Sequence, residues 1–153
     1  MPCSLPPSKH YHPRQRMNIK IQFDGGCKPT NPGNKYGSYS VWLDSKLIHT
    51  ELRFNLGHGT NNEAEFEALL KALAWTCYSL TKAGIDPQIY SLQLVTDSTI
   101  VQGRISGQNK SRKTEPQQRM FNLNERCQLQ LSRFKDFKIE WASRELNVAT
   151  FGH

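Results

Sequence analysis

The chain has 153 residues, about the length of one domain, and its 37% hydrophobic and 22% charged residues exclude a disordered or fibrous protein. No apolar stretch approaches the ~18 residues that a membrane-spanning helix needs. Because 20 Lys and Arg stand against 13 Asp and Glu, the formal charge is +7 and the first partner to consider is a polyanion.

The N-terminal segment differs from the rest of the chain. Residues 1–16 are rich in proline, carry basic residues and contain no acid, so we expect a flexible tail there and a single domain over residues 17–153. The tail either touches nucleic acid or is a solvated leader, and it lacks the apolar stretch of a secretory signal.

The cysteines indicate a reduced setting. They are widely spaced and form no CxxC pair, which excludes a zinc ribbon and a disulfide scaffold: Cys3, Cys27, Cys77 and Cys127. Cys77 and Cys127 fall in helical patterns, where we expect them to be buried. We predict a cytoplasmic monomer with no membrane contact and no obligate protein partner.

The first part of the domain predicts a meander of strands. Alternating apolar residues indicate a strand over Met17–Phe23, and a turn-rich stretch follows over Gly25–Tyr36. Two further strands fit Tyr36–Leu43 and Lys46–Leu56.

The second part alternates helices and strands. A long helix is predicted over Asn62–Lys82, with one buried stripe: Ala64, Ala68, Leu69, Ala72, Leu73, Thr76 and Leu80. A short strand over Ser91–Thr96 and a brief helix from Asp97 come next. Another helix over Glu115–Ser132 and a last strand over Phe137–Trp141 follow. After Asn147 there is room for barely one helical turn. This order predicts an α/β domain with a mixed sheet.

Two aspartates stand where predicted strands end. Asp24 leads into a glycine turn, and alone it would be interpreted as a turn residue. Asp97 follows an apolar strand and alone would be interpreted as a helix N-cap. Function gathers at the carboxyl ends of strands in open α/β sheets, so the pair carries more weight than either residue.

A glutamate on the long helix joins them. Glu65 precedes the stripe residues Ala68 and Leu69 by three and four positions and so faces the core, whereas Glu63 and Glu67 turn toward solvent. A core-facing carboxylate is costly unless it is paired or binds metal, although a role at the helix dipole remains an alternative. Three such carboxylates suit Mg²⁺ or Mn²⁺ and, with a polyanionic substrate, indicate two-metal phosphodiester cleavage.

At these residues the chain resembles the type 1 ribonuclease H family. The matching strings are Phe23-Asp24-Gly25-Gly26-Cys27 with Asn31-Pro32-Gly33, Thr60-Asn61-Asn62-Glu63-Ala64-Glu65, Val95-Thr96-Asp97-Ser98 and, more weakly, Arg144-Glu145-Leu146-Asn147. The resemblance extends from about Asn18 to Asn147. It implies an RNase H-like fold, with a five-stranded mixed sheet of an antiparallel meander plus parallel strands and helices on both sides.

The resemblance also implies roles for particular residues. Asp24, Glu65 and Asp97 would bind Mg²⁺, with Mn²⁺ as a possible substitute. The amides of Asn31, Asn61 and Asn62 would lie near the minor groove of an RNA–DNA hybrid, where they could bond 2′-hydroxyl groups. Thr60 would help to hold a phosphate of the DNA strand.

The sequence departs from the family at its fourth carboxylate. Four residues after Asn147 stands Phe151, and no acid follows Glu145. Asn147 is the best available catalytic stand-in, with an N-cap role as its alternative; Thr150, His153 or a group beyond the given sequence are weaker candidates. A histidine that the family often places six residues before this asparagine is replaced by Trp141, and His153 could replace it only if it folds back.

A basic stretch follows the third carboxylate and lacks the aromatic residues that some family members use to grip the hybrid. Its basic residues are Arg104, Lys110, Arg112, Lys113 and, just beyond, Arg119. We expect them to contact phosphates in a salt-sensitive way, with solubility as the alternative role.

The leading hypothesis is therefore an endonuclease that cuts the RNA strand of RNA–DNA hybrids, with water attacking in line. One alternative is a catalytically weak hybrid-binding module of the same fold, which the three acids argue against. Another is strand transfer or Holliday-junction cleavage, which the amide-rich turn of Thr60-Asn61-Asn62 argues against.

Overall fold

A central sheet with helices packed on it forms the part of the chain that this computed structural model describes, residues 17–153; the predicted tail and Cys3 lie outside the described residues. The strands are β1 (Asn18–Lys28), β2 (Gly33–Leu43), β3 (Lys46–Gly59), β4 (Ser91–Thr96) and β5 (Asp136–Trp141). The helices are α1 (Asn61–Lys82), α2 (Thr99–Ile105), α3 (Glu115–Leu131) and α4 (Arg144–Phe151), with a 3₁₀ turn at Pro87–Ile89.

The sheet has the predicted mixed topology. Its strand order is β3-β2-β1-β4-β5, in which the pairs β1–β2 and β2–β3 are antiparallel and the pairs β1–β4 and β4–β5 are parallel. The parallel pairing of β1 with β4 ends at Gln22 and Val95, and beyond it β1 continues beside β2 as far as Lys28.

The core lies between the sheet and α1. Ile19, Ile21 and Phe23 of β1 are fully buried there, and the predicted stripe of α1 is buried with them: Ala64, Ala68, Leu69, Ala72, Leu73, Thr76 and Leu80. The intervening Gln22 points to the opposite face of the sheet and is also buried. Both faces of β1 are thus covered, as expected for a strand with a parallel neighbour. Cys77 and Cys127 are buried as predicted.

The predicted turn-rich stretch over Gly25–Tyr36 is wrong for most of its length. Strand β1 continues through Gly25 and Gly26, which pair with Gly37 and Tyr36 of β2. Ladder hydrogen bonds need only backbone groups, so glycines remain in the strand where another element approaches closely. The true turn covers residues 29–32, and Asp24 therefore lies within a strand.

The last helix is longer than predicted. It covers eight residues, Arg144–Phe151, with Ser143 at its N-cap, so Asn147 lies inside the helix and is not its cap. Similarly, Ser98 caps α2 through a hydrogen bond from Val101 N, and Asp97 precedes the cap.

Among residues 17–153, no helix is long and apolar enough to cross a membrane.

A histidine on β3 packs against a tryptophan on α1. The His49 ring stacks on the Trp75 ring, with centroids 4.0 Å apart and planes 4° from parallel. Neither the buried Nε2 of His49 nor the buried Nε1 of Trp75 has a hydrogen-bond partner in the described part of the chain. Burial lowers the pKa of His49 from its usual 6.5, and the nearby Glu51 carboxylate opposes this shift without reversing it.

We expect acid to destabilise the protein through His49. Because its pKa is lower in the folded chain, the unfolded chain takes up the proton first, and stability is lost as the pH falls below about 6.5. In urea unfolding at about pH 7.5 and about pH 5.5, His49→Phe should lose less free energy of unfolding than wild type between the two conditions. His58→Phe, the same change at an exposed position, should follow wild type. Equal losses in all three proteins would contradict this assignment.

Candidate active site

Three carboxylates converge just beyond the last parallel pair of β1 and β4, Gln22 and Val95. Asp24, Glu65 and Asp97 each offer an oxygen, and these oxygens all lie within 4.8 Å of one another. Asp24 and Asp97 stand two residues beyond Gln22 and Val95, which are neighbours in the parallel register of β1 and β4. The sheet itself therefore places the two aspartates side by side, and α1 supplies the glutamate.

Glu65 reaches the aspartates because α1 lies directly against β1. A Cβ atom added to Gly25 would stand 2.4 Å from the carbonyl carbon of Ala64 and 2.6 Å from the backbone nitrogen of Glu65. Only a glycine permits this approach. The glycine next to Asp24 thus brings the second carboxylate to the first.

The electrostatics of the cluster call for a cation. Burial raises the pKa of Glu65 well above its usual value, and the adjacent Asp24 carboxylate adds to this rise. Burial and Asp24 also raise the pKa of Asp97. The buried Oε2 of Glu65 has no hydrogen-bond partner within residues 17–153. An all-oxygen set with an unpartnered buried oxygen fits a hard divalent ion such as Mg²⁺ or Mn²⁺.

The two glutamates beside Glu65 are not free in solvent, contrary to the prediction. Glu63 forms a capping box with Thr60, in which Glu63 N donates to Thr60 Oγ1 over 3.2 Å and Thr60 N donates to Glu63 Oε1 over 3.1 Å. Glu67 pairs with Lys35, whose side chain is only 5% exposed. Both glutamates are half-buried: Glu63 fixes the junction between β3 and α1, and Glu67 connects α1 to β2.

Two of the three predicted amide residues, Asn31 and Asn61, form one network with Cys27. Asn61 Oδ1 accepts hydrogen bonds from Cys27 N over 2.9 Å and Cys27 Sγ over 3.2 Å. Asn31 Oδ1 accepts from Asn61 N over 3.1 Å. Because both carbonyl oxygens are engaged internally, the NH₂ groups are the parts of these amides that can donate to a ligand. Asn62 is half-buried beside Asn61.

The basic stretch divides into a structural arginine and an exposed loop. Lys110, Arg112 and Lys113 are exposed, and the Arg112 guanidinium lies 4.3 Å from the centroid of the Phe121 ring. Arg104, predicted to contact phosphate, is only 1% exposed, and its Nη2 donates to Ser111 O over 2.9 Å. That prediction is wrong because α2 turns the side chain inward, where it supports the loop.

Arg119 connects the basic loop to the amide turn. Its guanidinium lies 3.3 Å from a carboxylate oxygen of Glu63 on α1 and 3.2 Å from one of Glu115 on α3. The start of α3, which follows the basic loop, is thereby held near the start of α1. Amide donors and basic side chains are thus presented by adjoining segments.

Asn147 stands behind the carboxylates on α4. It is 2% exposed, and its Oδ1 accepts a hydrogen bond from Gln22 Nε2 over 3.0 Å. Gln22 Oε1 in turn accepts from Thr150 Oγ1 over 3.2 Å. The Asn147 side chain lowers the pKa of Asp97, against the effect of burial. Asn147 is thus placed next to the third carboxylate, and its oxygen is bonded to Gln22.

Sequence reasoning missed part of the cleft. The carboxylates face a cleft of about 520 Å³ that Tyr36, Trp141, Arg144 and His153 also line. His153 does fold back, with Nδ1 lying 3.0 Å from Asp24 Oδ2. Arg144 belongs to a string that the sequence had singled out, but nothing in the local pattern shows that it faces the cleft.

Comparisons with known proteins agree with this architecture. No protein-family model matches the sequence. The "Bifunctional protein Rv2228c" of Mycobacterium tuberculosis is 26% identical over 137 residues, which are 86% of this chain and 33% of that protein. "Uncharacterized protein Mb2253c" of Mycobacterium bovis matches with the same figures. The chain spans about a third of the length of the curated relatives that it matches.

Solved structures show the same fold. The N-terminal RNase H domain of Rv2228c has a TM-score of 0.69 at 26% identity, covering 86% of this chain and 91% of that one. RNase H1 from Halobacterium salinarum has a TM-score of 0.66 at 24% identity, over 85% and 89%. LC11-RNase H1 in complex with an RNA/DNA hybrid has a TM-score of 0.66 at 22% identity, over 86% and 89%. The predicted RNase H-like fold and the resemblance to type 1 ribonuclease H are confirmed.

Proposed function

We propose that this protein is an endonuclease that hydrolyses the RNA strand of RNA–DNA hybrids. The observation that carries the proposal is the convergence of carboxylate oxygens of Asp24, Glu65 and Asp97 within 4.8 Å of one another, just beyond the parallel pairing of β1 with β4. One structure with this fold, LC11-RNase H1, is a complex with an RNA/DNA hybrid. A chain of formal charge +7 also suits a polyanionic substrate.

In this proposal the three carboxylates hold divalent metal ions, Mg²⁺ or Mn²⁺. When bound, such a pair of ions activates water and stabilises the leaving oxygen in an in-line displacement at phosphorus. Asp24 and Glu65, which are both buried, would orient their oxygens without side-chain rearrangement. Water forms the new bond to phosphorus as the bond to the departing ribose oxygen breaks.

Substrate recognition would fall to the amide network and the basic loop. The NH₂ groups of Asn31, Asn61 and Asn62 would donate to 2′-hydroxyl or base acceptors in the minor groove, which lets a protein distinguish RNA from DNA. Thr60, held in its capping box, would position a phosphate of the DNA strand. The exposed side chains of Lys110, Arg112 and Lys113 would contact phosphates and make binding salt-sensitive.

The test is a cleavage assay on a labelled RNA–DNA hybrid in Mg²⁺ and in Mn²⁺. Cleavage of the RNA strand, with single-stranded RNA and duplex DNA left intact, supports the proposal. Binding of the hybrid in EDTA without cleavage in either metal would favour a binding module, an alternative kept because no acid follows Glu145. Cleavage of a Holliday junction in preference to the hybrid would instead favour the second alternative, which is junction cleavage or strand transfer. The cytoplasmic location and monomeric state remain predictions.

Asn147 is proposed to act at Asp97 without binding the metal itself, and its replacement tests that role. Asn147→Asp would place another carboxylate beside Asp97, so we expect lower stability in EDTA and tighter binding of Mg²⁺. Thermal unfolding with and without Mg²⁺ measures both effects. Asn124→Asp is the matched control, because Asn124 is a buried amide on α3 and its loss should not be recovered by metal. An Asn147→Asp protein that matches wild type in both conditions would show that Asn147 does not act at the centre.

A further inference from the structure

The chain after α4 turns back onto the carboxylate cluster. Gly152 has a left-handed conformation, with φ of 79°, and its N donates to Val148 O over 2.9 Å. Arg53 Nη2 donates to Gly152 O over 2.9 Å and so ties this turn to β3. The His153 side chain that follows is only 5% exposed. The hydrogen bonds of Gly152 to Val148 on α4 and to Arg53 on β3 therefore hold His153 inside the cleft.

Aromatic neighbours fix the plane of the His153 ring. Tyr36 meets it edge-on with centroids 5.0 Å apart, and Phe151 stacks beside it at 5.8 Å. Tyr36 belongs to β2 and Phe151 to α4, so two separate elements position the ring. Such a ring has little freedom to leave the site.

The two ring nitrogens have different surroundings. Nε2 lies 2.6 Å from Ser38 Oγ, which also accepts a hydrogen bond from Arg53 N over 2.9 Å. Nδ1 is buried 3.0 Å from Asp24 Oδ2, yet no atom of the described chain pairs with it in hydrogen-bond geometry. If Nε2 carries the proton and donates it to Ser38 Oγ, the lone pair of Nδ1 is left facing the Asp24 carboxylate. In that tautomer the two electron-pair donors repel each other unless a metal ion lies between them, whereas a proton on Nδ1 would make the contact an ion pair with Asp24.

This arrangement has the features of a metal ligand. Histidines that bind metals commonly use their second ring nitrogen for a hydrogen bond that fixes the ring, as Ser38 does here. Neighbouring ligands of an octahedral ion with bonds of ~2.1 Å are separated by roughly 3.0 Å, which is the distance from Nδ1 to Asp24 Oδ2. Asp24 contacts His153 and also belongs to the group with Glu65 and Asp97. It therefore connects the histidine to the three carboxylates.

We propose that His153, through Nδ1, is the fourth ligand group of the metal centre, acting together with Asp24, and that its nitrogen biases the centre toward Mn²⁺ over Mg²⁺. Imidazole nitrogen binds transition ions better than Mg²⁺, which prefers oxygen. The proposal rests on the proposed function for the presence of a metal centre. It adds a nitrogen ligand beside Asp24 and the metal preference that follows from it.

The test measures metal binding without nucleic acid. Electron spin-echo spectroscopy of the full chain loaded with Mn²⁺ should show coupling of the ion to imidazole ¹⁴N in wild type and in His58→Ala, but not in His153→Ala. Calorimetry should show that His153→Ala weakens Mn²⁺ binding by about tenfold or more, with a smaller change for Mg²⁺. His153→Asp should bind Mg²⁺ more tightly than His153→Ala does and should show a lower preference for Mn²⁺ than wild type. His58 is the control because it is an exposed histidine on β3.

Each outcome decides the proposal. Absence of the ¹⁴N coupling in wild type, or Mn²⁺ affinity that is unchanged in His153→Ala, would overturn it and leave His153 as a structural contact of Asp24. A fall in thermal stability alone, with the coupling retained, would do the same. Hybrid cleavage without ¹⁴N coupling would reject this proposal and keep the proposed function. Coupling without hybrid cleavage would support this proposal and reject the proposed function.

Discussion

Asp24→Asn should abolish Mg²⁺-dependent cleavage of the hybrid and, at the same time, stabilise the metal-free protein. Asp24 lies in the cluster with Glu65 and Asp97 and also contacts His153. It is therefore next to every proposed metal ligand. We expect a loss of about 10³-fold or more in rate, equivalent to about 4 kcal/mol of transition-state stabilisation. Loss of one buried negative charge should relieve Glu65, whose pKa Asp24 helps to raise. Melting temperature in EDTA should rise by about 2–4 °C for each kcal/mol gained.

The control for this change is Asp136→Asn. It alters the same chemical group at an exposed position at the start of β5, at the opposite end of the sheet from the cluster. It should leave both cleavage and stability in EDTA at wild-type values. Asp97→Asn should resemble Asp24→Asn in activity. An Asp24→Asn protein that cleaves at a rate near wild type would reject the assignment of the centre, whatever its stability.

The opposite signs of the two effects separate function from folding. A residue needed only for the fold loses activity and stability together, because fewer molecules are folded. A carboxylate kept near like charges costs stability in the metal-free protein and is retained for what it binds. The pair of measurements therefore distinguishes a metal centre from a structural cluster of acids.

The elements with clear periodicity were predictable from the sequence. The stripe of α1 was predicted residue by residue because a helix repeats every 3.6 residues, and the same period placed Glu65 toward the core. The succession of strands and helices predicted an α/β domain with a mixed sheet, and the resemblance named the same fold. Local sequence patterns were therefore enough to predict the architecture and the three carboxylates.

The parts that depend on distant contacts were not predictable. The pattern of glycines around Gly25 indicated a turn, since nothing local shows that α1 packs there. Glu67 looked like a solvated residue because its partner Lys35 lies on another element. The position of His153 depends on Arg53 and Ser38, which are about a hundred residues away in sequence. Side chains that meet across the fold leave no periodic signal.

Gly25→Ala should destabilise the protein and separate the carboxylates. The added methyl group would meet three backbone atoms of α1 at 2.4–2.6 Å, and backbone cannot move aside as a flexible side chain can. We expect a loss of about 1–3 kcal/mol or more in the free energy of unfolding, measured by urea denaturation. Because the clash lies between Asp24 and Glu65, we also expect cleavage to fall further than the folded fraction does.

Gly103→Ala is the matched control for this prediction, and its effect should have the opposite sign. Gly103 lies inside α2, where an added Cβ would be 3.7 Å from its nearest neighbour, the Cβ of Asn109. Alanine has the higher helix propensity, so the change should stabilise the protein by up to about 1 kcal/mol and leave cleavage unaffected. Wild-type stability and activity in Gly25→Ala would contradict this prediction. The close approach of α1 to β1 would then not be what brings Glu65 to Asp24, and the site would have to tolerate a wider separation of these two buried carboxylates.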